Sequence, residues 1–487
     1  MKKYILSIDS GTTGITAILV DRNLNIVQKE YLEIKQYYPK PGWVEHDPKE
    51  LIEKITKIIH KITKNYSAKN IQSIGITNQR ETIVVWNKKN KQPIYNAIVW
   101  QCRRTKEYCN TIKKYDRKIF KKTGLYIDSY FSATKIKWIF DNIQIPQKQF
   151  KNNQICIGTI DSWIIWNLTN GEKHVTDYTN ASRTMLFNIN DKKWDKELLD
   201  IFNIKENALP KVKNSMDNFG VTKINDTLIP IQGVAGDQQS ALFGQGCVNE
   251  GTSKCTYGTG LFYLSNIGKH RQDSKNRLLT TLASDENGEP VYAIEGSVFI
   301  GGAVIQWLRD ELKLIDNASD TERIALDIKG TDGVYIVPAF VGLGAPYWNS
   351  ECKGIITGIT RGTNKKHLIR AALESIAYQV NDLIECIKKD INKPLKQLNV
   401  DGGATNNSFL LQFQSDISNI KIAKPANIES TALGAAILAG LNSRFWRSIK
   451  EPFKNQKKHE IYTPQINKEK RMELINGWNK AIKDINQ

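Results

Sequence analysis

The sequence predicts an α/β protein made of two similar domains with a cleft between them. The chain has 487 residues, and because a single hydrophobic core stops growing at roughly 250–300 residues, two cores are expected. Strand-like and helix-like segments alternate along the chain. Each half also begins with two short strands joined by a Gly-Thr bend, at 11–14 and at 257–260. These repeated hairpins indicate a duplicated domain, and we place the two copies at 1–246 and 247–487.

The first half begins with its hairpin, for which the pattern predicts strands at 5–9 and 16–21. A helix is expected over 48–65, because Asp47 can cap it and Pro48 suits its first turn. Strands are expected next at 73–77 and 82–86. This order of strands and helices continues to about residue 214.

The second half repeats the style, with a hairpin over 253–265. Helices are expected over 302–314 and 367–389, and a last helix is expected in the charged tail after Pro452. In the long helix, Leu368, Ala372, Ile376 and Val380 recur at helical spacing, so one of its faces belongs to a core.

Composition excludes several classes of protein. The net charge of +19 suggests a polyanion partner, but the lysines are scattered among Asn and Ile, so we expect no nucleic-acid binding. The 7 Cys form no Cys-x-x-Cys pair, and neither they nor the 6 His resemble a zinc site. No stretch is long and apolar enough to span a membrane, and the first residues run directly into a strand. A soluble cytoplasmic protein is therefore expected.

The first motif is the bend that follows Asp9. Its backbone N–H groups and the hydroxyls of Thr12 and Thr13 could face phosphates, while the carboxylate of Asp9 faces a hydrated Mg²⁺. An Asp and Gly pair is also ordinary hairpin chemistry, so this motif alone favours a structural role.

The second motif is Gly236-Asp237-Gln238, which follows a strand and begins a helix. Asp237 could simply cap that helix. Alternatively, the helix terminus could fix its carboxylate at the edge of the cleft, where it would accept a proton from a hydroxyl group as a general base.

Two further loops carry polar or flexible residues. The stretch 401–407 joins a strand to a helix through Gly402 and Gly403, where the backbone could approach a ring or a phosphate closely; an ordinary glycine-rich turn is the alternative. Arg80 and Glu81 stand side by side between two strands. On the surface this pair would contribute little, but in a cleft its donor fork and its acceptor could hold two neighbouring hydroxyl groups.

The sequence as a whole resembles the FGGY carbohydrate kinase family, and in particular its glycerol-phosphorylating members. The resemblance runs from end to end and includes the stretches 38–48 and 96–104. Both family signatures are present, the first at 130–138 and the second running from Gly354 to His367 and Glu374. Matches of this length are far more specific than a short Gly motif.

The resemblance implies an actin-like, ribonuclease H-like fold in which ATP, Mg²⁺ and glycerol meet in the cleft. It implies Asp237 as the general base and Asp9 as the metal ligand. Glycerol would contact Arg80, Glu81, Trp100, Tyr130, Asp237, Gln238 and Phe262. The nucleotide would contact Thr12, Thr13, Gly14, Thr16, Thr259, Gly302, Gln306, Gly403 and Asn407. A dimer or tetramer is also expected.

Two departures from the family pattern are visible. Thr16 stands where family members usually carry Arg, which implies weaker nucleotide binding or turnover. The segment 223–230 is short and lacks Arg, and 465–470 and 215–219 also differ from the family's regulatory segments. The sequence therefore predicts an enzyme without fructose 1,6-bisphosphate or phosphocarrier control.

Two other functions stay open at this point. The first is phosphorylation of another small polyol or a ketose by the same chemistry, which the bulky rings at 100, 130 and 262 disfavour. The second is a non-catalytic actin-like or nucleic-acid-binding protein, which the presence of Asp9, Asp237 and the Gly loops disfavours.

Overall fold

A computed structural model describes residues 2–145, 149, 153–349, 351–391, 395–454 and 459–485. The strands are β1 (Tyr4–Ser10), β2 (Gly14–Val20), β3 (Ile26–Glu33), β4 (Glu45–His46), β5 (Ile71–Asn78), β6 (Ile83–Asn87), β7 (Ala97–Ile98), β8 (Ile155–Thr159), β9 (Val175–Asp177), β10 (Phe187–Asn188), β11 (Lys193–Trp194), β12 (Lys211–Lys213), β13 (Met216–Ile224), β14 (Thr227–Gly236), β15 (Ser253–Tyr257), β16 (Leu261–Gly268), β17 (Leu279–Ser284), β18 (Pro290–Val298), β19 (Tyr335–Val337), β20 (Ile355–Thr357), β21 (Gln397–Asp401), β22 (Lys421–Lys424) and β23 (Glu460–Tyr462).

The helices are α1 (Pro48–Asn65), α2 (Lys106–Thr111), α3 (Asp116–Thr123), α4 (Ser132–Asn142), α5 (Ile160–Leu168), α6 (Tyr178–Ala181), α7 (Lys196–Phe202), α8 (Asp237–Gly244), α9 (Ala303–Asp310), α10 (Asp320–Leu326), α11 (Lys365–Ile391), α12 (Ser408–Ser418), α13 (Ser430–Asn442), α14 (Lys450–Phe453) and α15 (Lys468–Ile485). Short 3₁₀ turns lie at Ala68–Asn70, Lys113–Tyr115, Glu206–Ala208 and Gly403–Asn406. Within the ranges that are described, no helix is long and apolar enough to cross a membrane.

Two sheets of matching order form the framework. The first lobe is built on the six-stranded sheet β13-β14-β5-β1-β2-β3, and the second lobe on the seven-stranded sheet β17-β18-β16-β15-β21-β22-β23. In the first lobe β1 pairs antiparallel with β2 and parallel with β5; in the second, β15 pairs antiparallel with β16 and parallel with β21. The shared order and direction reveal the duplication that the two Gly-Thr hairpins predict.

Local sequence explains the start of helix α1. Helix α1 begins at Pro48 and ends at Asn65, as expected, because the Asp47 side chain accepts the N–H of Lys49 at its start. Its apolar residues lie on one buried face against the first sheet. The strands expected at 73–77 and 82–86 correspond to β5 and β6.

The expected helix over 302–314 is shorter in the structure. Helix α9 ends at Asp310, and Lys313 then takes a positive φ of 53°, which a continuing α-helix does not allow. The long helix expected over 367–389 is present and extends from Lys365 to Ile391. The tail also carries its expected helix, α15.

Helix α13 comes late in the chain but packs on the first sheet. The Ser7 hydroxyl on β1 donates to Ala432 O at 2.7 Å, and the Ser73 hydroxyl on β5 donates to Ala439 O at 3.0 Å. A Cβ at Gly75 of β5 would lie 2.1 Å from Ala435 O, so only glycine permits this approach. One face of the first lobe is therefore covered by the second half of the chain. The division that we place at residue 246 stays a prediction.

Candidate active site

The first hairpin is the bend between β1 and β2. Its last two strand pairs are Asp9 with Thr16 and Ser10 with Ile15, and the N–H of Gly11 closes the bend by donating to Gly14 O at 3.0 Å. Thr13 is exposed at the tip, with Thr12 beside it. A Cβ at Gly14 would lie 2.5 Å from the ring of Tyr31. The hairpin therefore presents hydroxyls and backbone groups at the end of the sheet, as predicted.

Asp9 is a carboxylate without a partner at this hairpin. Its Oδ1 atom is buried and accepts no hydrogen bond from the described residues. Burial, and then the nearby negative charges of Asp237 and Glu429, raise the pKa of Asp9 to about 8. A hard divalent cation would relieve both effects, because it supplies the missing positive charge and prefers carboxylate oxygen. Asp9 thus fits the predicted Mg²⁺ site. Thr16 lies beside it on the neighbouring strand.

The second hairpin, between β15 and β16, is held by the start of α9. The N–H of Gly301 donates to Thr259 O and the N–H of Gly302 to Gly258 O, both at 2.8 Å. A Cβ at Gly302 would lie 2.9 Å from Gly258 O, which explains the glycine. Thr259 is exposed at the tip of the bend, and Gln306 is exposed on α9. These predicted nucleotide residues lie on one continuous piece of structure.

The third glycine loop follows β21 and leads into α12. Gly402 has a φ of 93°, and a Cβ there would lie 2.6 Å from Tyr257 O of the second hairpin. A Cβ at Gly403 would meet nothing within 4 Å, so this residue borders open space. Asn407 caps α12 by accepting the N–H of Leu410 at 2.9 Å. The Asn407 amide also donates to Thr321 at 3.1 Å, so about half of its side-chain hydrogen-bonding capacity is used within the fold.

Arg80 and Glu81 lie in the loop between β5 and β6 and are both buried. Arg80 donates from Nη1 and Nη2 to the two carboxylate oxygens of Glu295, at 2.6 and 2.9 Å. Glu81 accepts from Arg183 Nε at 2.6 Å. Arg183 Nη2 also donates to Glu295 Oε1 at 3.0 Å. We call Arg80, Glu81, Arg183 and Glu295 the ion ring.

The ion ring changes the pKa of its acids in opposite directions. Burial alone would raise the pKa of Glu295, but the charges of Arg183 and Arg80 outweigh it and hold the pKa at about 2. For Glu81 burial dominates, and its pKa is raised from the usual value in spite of Arg80 and Arg183. Glu295 is therefore the firmly ionised member, and Glu81 is the member that gains most from a further hydrogen-bond donor.

Asp237 begins α8, as the sequence predicts. Its Oδ1 atom accepts the N–H of Gln238 at 2.7 Å and lies 3.2 Å from Arg80 Nε. The side chain is 26% exposed, so its carboxylate is accessible from the cleft. Burial raises the pKa of Asp237 above its usual value, against the lowering effect of Arg80 and Lys254. A carboxylate with a raised pKa at a helix N-terminus is suited to accept a proton.

Three rings border this region. The centroid of Trp100 lies 5.5 Å from that of Tyr130 and 6.2 Å from that of Phe262, with nearly perpendicular ring planes. The Trp100 indole N–H donates to the Thr12 hydroxyl at 2.9 Å, which ties this wall to the first hairpin. Burial raises the pKa of the Tyr130 phenol, so it stays a neutral hydrogen-bonding group. The structure thus joins the predicted substrate rings to the predicted phosphate bend.

Four residues of the site escape the sequence analysis: Arg183, Gln239, Lys254 and Glu295. Gln239 Oε1 accepts from Arg80 at 3.1 Å. Lys254 donates to Gln238 Oε1 and, at 2.8 Å, to the Thr256 hydroxyl. The spacing of Asp237 to Gln239 gave a weak signal for Gln239, which shares the N-terminus of α8. Lys254 lies in a strand of the predicted second hairpin, but nothing in the pattern assigns it a role, and Arg183 and Glu295 lie in segments that carry no motif.

Comparison with known proteins identifies the family of the chain. The model of the FGGY family of carbohydrate kinases, N-terminal domain, matches residues 4–244, and the model of its C-terminal domain matches residues 253–443. The chain belongs to the FGGY family of carbohydrate kinases. It is 52% identical to a glycerol kinase of Caldanaerobacter subterraneus subsp. tengcongensis, over 99% of this chain and 98% of that protein. A glycerol kinase of Clostridium botulinum strain 657 matches at the same identity and coverage.

Solved structures agree with the family. The FGGY kinase superposes on Plasmodium falciparum glycerol kinase with ADP at a TM-score of 0.93, with 39% identity over 99% of this chain and 98% of that chain. A xylulose kinase from Lactobacillus acidophilus shares the fold at a TM-score of 0.88, with 24% identity and the same coverage. The expected family and the expected actin-like two-domain fold are thereby confirmed.

Proposed function

We propose that this FGGY kinase transfers the γ-phosphate of ATP to glycerol and forms sn-glycerol 3-phosphate. The observation that carries the proposal is the site around Arg80 and Glu81, a buried donor and acceptor beside the carboxylate of Asp237 and bordered by three aromatic rings. Relatives that are 52% identical over nearly the whole chain are glycerol kinases, and a solved relative of similar fold holds ADP. A small triol matches a site with one buried donor, one buried acceptor and three neighbouring rings.

Glycerol would bind through the groups that the fold leaves unused. Arg80 has five N–H donors, of which two go to Glu295 and one to Gln239, while Nε faces Asp237. One N–H on Nη2 remains for a hydroxyl oxygen. Glu81 uses Oε1 for Arg183, which leaves Oε2 for a hydroxyl proton. The ring carbons of Trp100 and Phe262 would cover the apolar side of the polyol.

Asp237 is proposed as the general base. Its Oδ1 atom is occupied by the N–H of Gln238, which leaves Oδ2 to accept the proton of the terminal hydroxyl. The hydroxyl oxygen then attacks the γ-phosphorus in line, the bond to the β,γ-bridging oxygen breaks, and ADP leaves. Arg80 Nε at 3.2 Å holds the carboxylate in place and stabilises its ionised form. The raised pKa makes Asp237 a stronger base than an exposed aspartate.

The two hairpins and the Gly403 loop are proposed to hold ATP. Thr12 and Thr13 would donate hydroxyl and backbone N–H groups to phosphate oxygens, and Gly403 would let the backbone approach the nucleotide. Asp9 would hold Mg²⁺, directly or through its water shell. Bound at Asp9, Mg²⁺ would supply positive charge to offset the charge that develops on the phosphates during transfer. Among the described residues no cluster of three His, Cys, Asp or Glu surrounds a metal position, so the phosphates would supply the other ligands.

The test is a substrate panel. Purified protein with Mg-ATP is offered glycerol, dihydroxyacetone, erythritol and xylulose, and ADP release is followed for each. We expect kcat/KM for glycerol to exceed that of each other substrate by at least about tenfold, the ratio that one misfitted carbon group costs in a tight pocket. A higher kcat/KM for xylulose or erythritol would show that this compound, and not glycerol, is the substrate. The proposed kinase chemistry would still hold.

Control by metabolites, assembly and location belong to the same proposal. Strands β13 and β14 are joined through Asn225 and Asp226 alone, both at positive φ, so this hairpin has no long loop for a bisphosphate. We therefore expect no inhibition by fructose 1,6-bisphosphate in a steady-state assay. The dimer or tetramer stays a prediction. The free thiols of the protein and its proposed use of ATP favour a location in the cytoplasm.

A further inference from the structure

The ion ring crosses between the two lobes. Arg80 and Glu81 follow β5 of the first lobe, and Arg183 follows α6, whereas Glu295 lies on β18 of the second lobe. The sheet register places Glu295 opposite Leu264 of β16 and Leu279 of β17, in the interior of the second sheet. All four ring side chains are almost completely buried. The carboxylate of Glu295 in the second lobe therefore accepts two hydrogen bonds from Arg80 in the first lobe.

Glu295 cannot itself touch a substrate, because its side chain is completely buried behind the two arginines. Oε1 accepts from Arg80 Nη2 at 2.9 Å, from Arg183 Nη2 at 3.0 Å and from Ser297 at 3.3 Å. Oε2 accepts from Arg80 Nη1 at 2.6 Å. Together with the complete burial of the side chain, these contacts leave no oxygen of Glu295 exposed to a ligand. Its influence on a bound polyol must pass through the two arginines.

Each contact of the ring fixes one group that would face the polyol. The two parallel bonds from Glu295 hold the Arg80 guanidinium in a single plane, so that its one spare N–H has a fixed direction. The Arg183 Nε bond takes Oε1 of Glu81 and leaves Oε2 for the site. Glu81 also has a φ of 61°, which is costly for a residue with a side chain. Surrounding contacts must therefore hold its backbone in that conformation.

The ring also limits the contact of Arg80 with the general base to its Nε atom. Arg80 Nε already lies 3.2 Å from Asp237 and 3.7 Å from Glu81. Without Glu295, Nη1 would keep only Gln239 and Nη2 would lose the acceptor described for it, so the guanidinium would be free to turn toward the partly exposed carboxylate of Asp237. A closer pairing with Arg80 would lower the proton affinity of Asp237.

We propose that Glu295 and Arg183 are positioning residues, which hold Arg80 and Glu81 in the geometry that binds two neighbouring hydroxyl groups of the substrate. This inference rests on the proposed polyol kinase function. A stabilising role alone does not account for the ring, because buried ion pairs contribute little net stability compared with well-packed apolar residues. The ring thus makes the polyol site of the first lobe depend on a side chain of the second.

Glu295→Gln tests the proposal most directly, because it keeps the shape of the side chain but places an NH₂ group against a donor of Arg80. We expect KM for glycerol to rise roughly 10- to 100-fold, as for the loss of one or two charge-assisted hydrogen bonds, while KM for ATP stays within about twofold. Glycerol binding without nucleotide, measured by calorimetry, should weaken by the same ratio. Arg183→Lys keeps the charge but cannot bridge two carboxylates, so we expect the same selective rise in KM for glycerol.

Glu374→Gln is the matched control. Glu374 is a buried glutamate of the second lobe that pairs with Arg370 at 2.8 Å within α11, and it has no contact with the ring. The variant should keep the wild-type KM for glycerol. Thermal unfolding and ADP binding identify any variant that fails to fold. If Glu295→Gln does not fold, Arg183→Lys and Glu295→Asp, which preserve the charges, are measured in its place.

Three outcomes are decisive. A selective rise in KM for glycerol in the ring variants supports the proposal. An unchanged KM in a folded Glu295→Gln variant overturns it, and so does a parallel rise for ATP and glycerol, which would indicate a structural role only. If the wild-type protein prefers another polyol in the substrate panel, the proposed function fails instead, and the ring is then tested with that polyol.

Discussion

The two Gly-Thr hairpins have the same backbone pairing but different charges beneath them. Asp9 of the first hairpin and Thr256 of the second occupy equivalent positions, one pair before the last in each hairpin. Asp9 carries an unpaired carboxylate oxygen, whereas the Thr256 hydroxyl accepts from Lys254 at 2.8 Å. In the second lobe the carboxylate lies one strand away, at Asp401. Duplication has thus kept the geometry and changed the electrostatics.

The difference suggests a division of labour. The first lobe supplies the charged groups, Asp9 and Asp237, and needs a cation from solution. The second lobe carries its own cation, the buried Lys254, and supplies a close backbone contact at Gly302 and an open backbone position at Gly403. Loss of Asp9 or Asp237 in the first lobe should therefore lower turnover, and a side chain added to the Gly403 loop of the second lobe should weaken nucleotide binding.

Asp237→Asn should have the largest effect. The amide keeps the shape of the side chain but cannot accept the hydroxyl proton, so we expect kcat to fall roughly 10²- to 10⁴-fold while ATP binding persists. Steady-state kinetics and calorimetry with ATP measure the two quantities. Asp382→Asn serves as the control, since that buried carboxylate in the second lobe accepts from Tyr347 and Trp478 and lies outside the site. Near-normal turnover in Asp237→Asn would remove the residue from its role.

Asp9→Asn should come next. Loss of the carboxylate removes the anchor for Mg²⁺, and we expect kcat to fall about 10²-fold and the Mg²⁺ concentration for half-maximal activity to rise. A magnesium titration at saturating ATP checks this. Asp401→Asn, the counterpart beside the second hairpin, should lower kcat by less than about tenfold. Equal losses in the two variants would contradict the division between the lobes.

Gly403→Ala should have a smaller and different effect. A Cβ at Gly403 meets nothing in the protein, so the fold should keep its thermal stability. The same methyl group would press on a bound nucleotide, and we expect KM for ATP to rise about 5- to 50-fold with little change for glycerol. Gly402→Ala is the contrast, because its φ of 93° and its approach to Tyr257 should lower the melting temperature instead. An unchanged KM for ATP in Gly403→Ala would place the nucleotide elsewhere.

The smallest effect is expected from a change of pH near neutrality, where the activity of the wild-type protein should change little. Asp237 must be ionised to accept a proton, so kcat/KM should rise with pH through its pKa and then reach a plateau. Burial raises that pKa, so the acid limb should lie above the range of an ordinary aspartate. On that limb the rate should change about tenfold per pH unit. A limb at the value of an exposed aspartate would argue against the buried setting of Asp237.

The sequence predicts the parts of this molecule that depend on local chemistry. The bounds of α1 follow from Asp47 and Pro48, and both hairpins follow from their Gly-Thr bends. Local chemistry also predicts Asp237 at a helix start. The end of α9 at Asp310 was missed, because apolar spacing continues to Leu314 while the backbone turns at Lys313.

The ion ring could not be predicted in the same way. A glutamate in a β-strand normally faces solvent. Here the pairing of β18 with both β16 and β17 places Glu295 in the interior of the second sheet. Arg183 follows a single turn of helix and lies 112 residues from its partner Glu295. A contact between such distant positions depends on how the two lobes meet, which no local pattern contains.

Helix α13 constrains the order in which this protein can mature. During synthesis β1, β5 and β14 leave the ribosome long before α13 does, so the apolar face that α13 covers stays open until most of the chain has been made. At Gly75 the backbone of α13 lies so close to β5 that no side chain fits between them. Translation of the last third of the chain is therefore the period in which a nascent molecule is most exposed to aggregation and most in need of a chaperone.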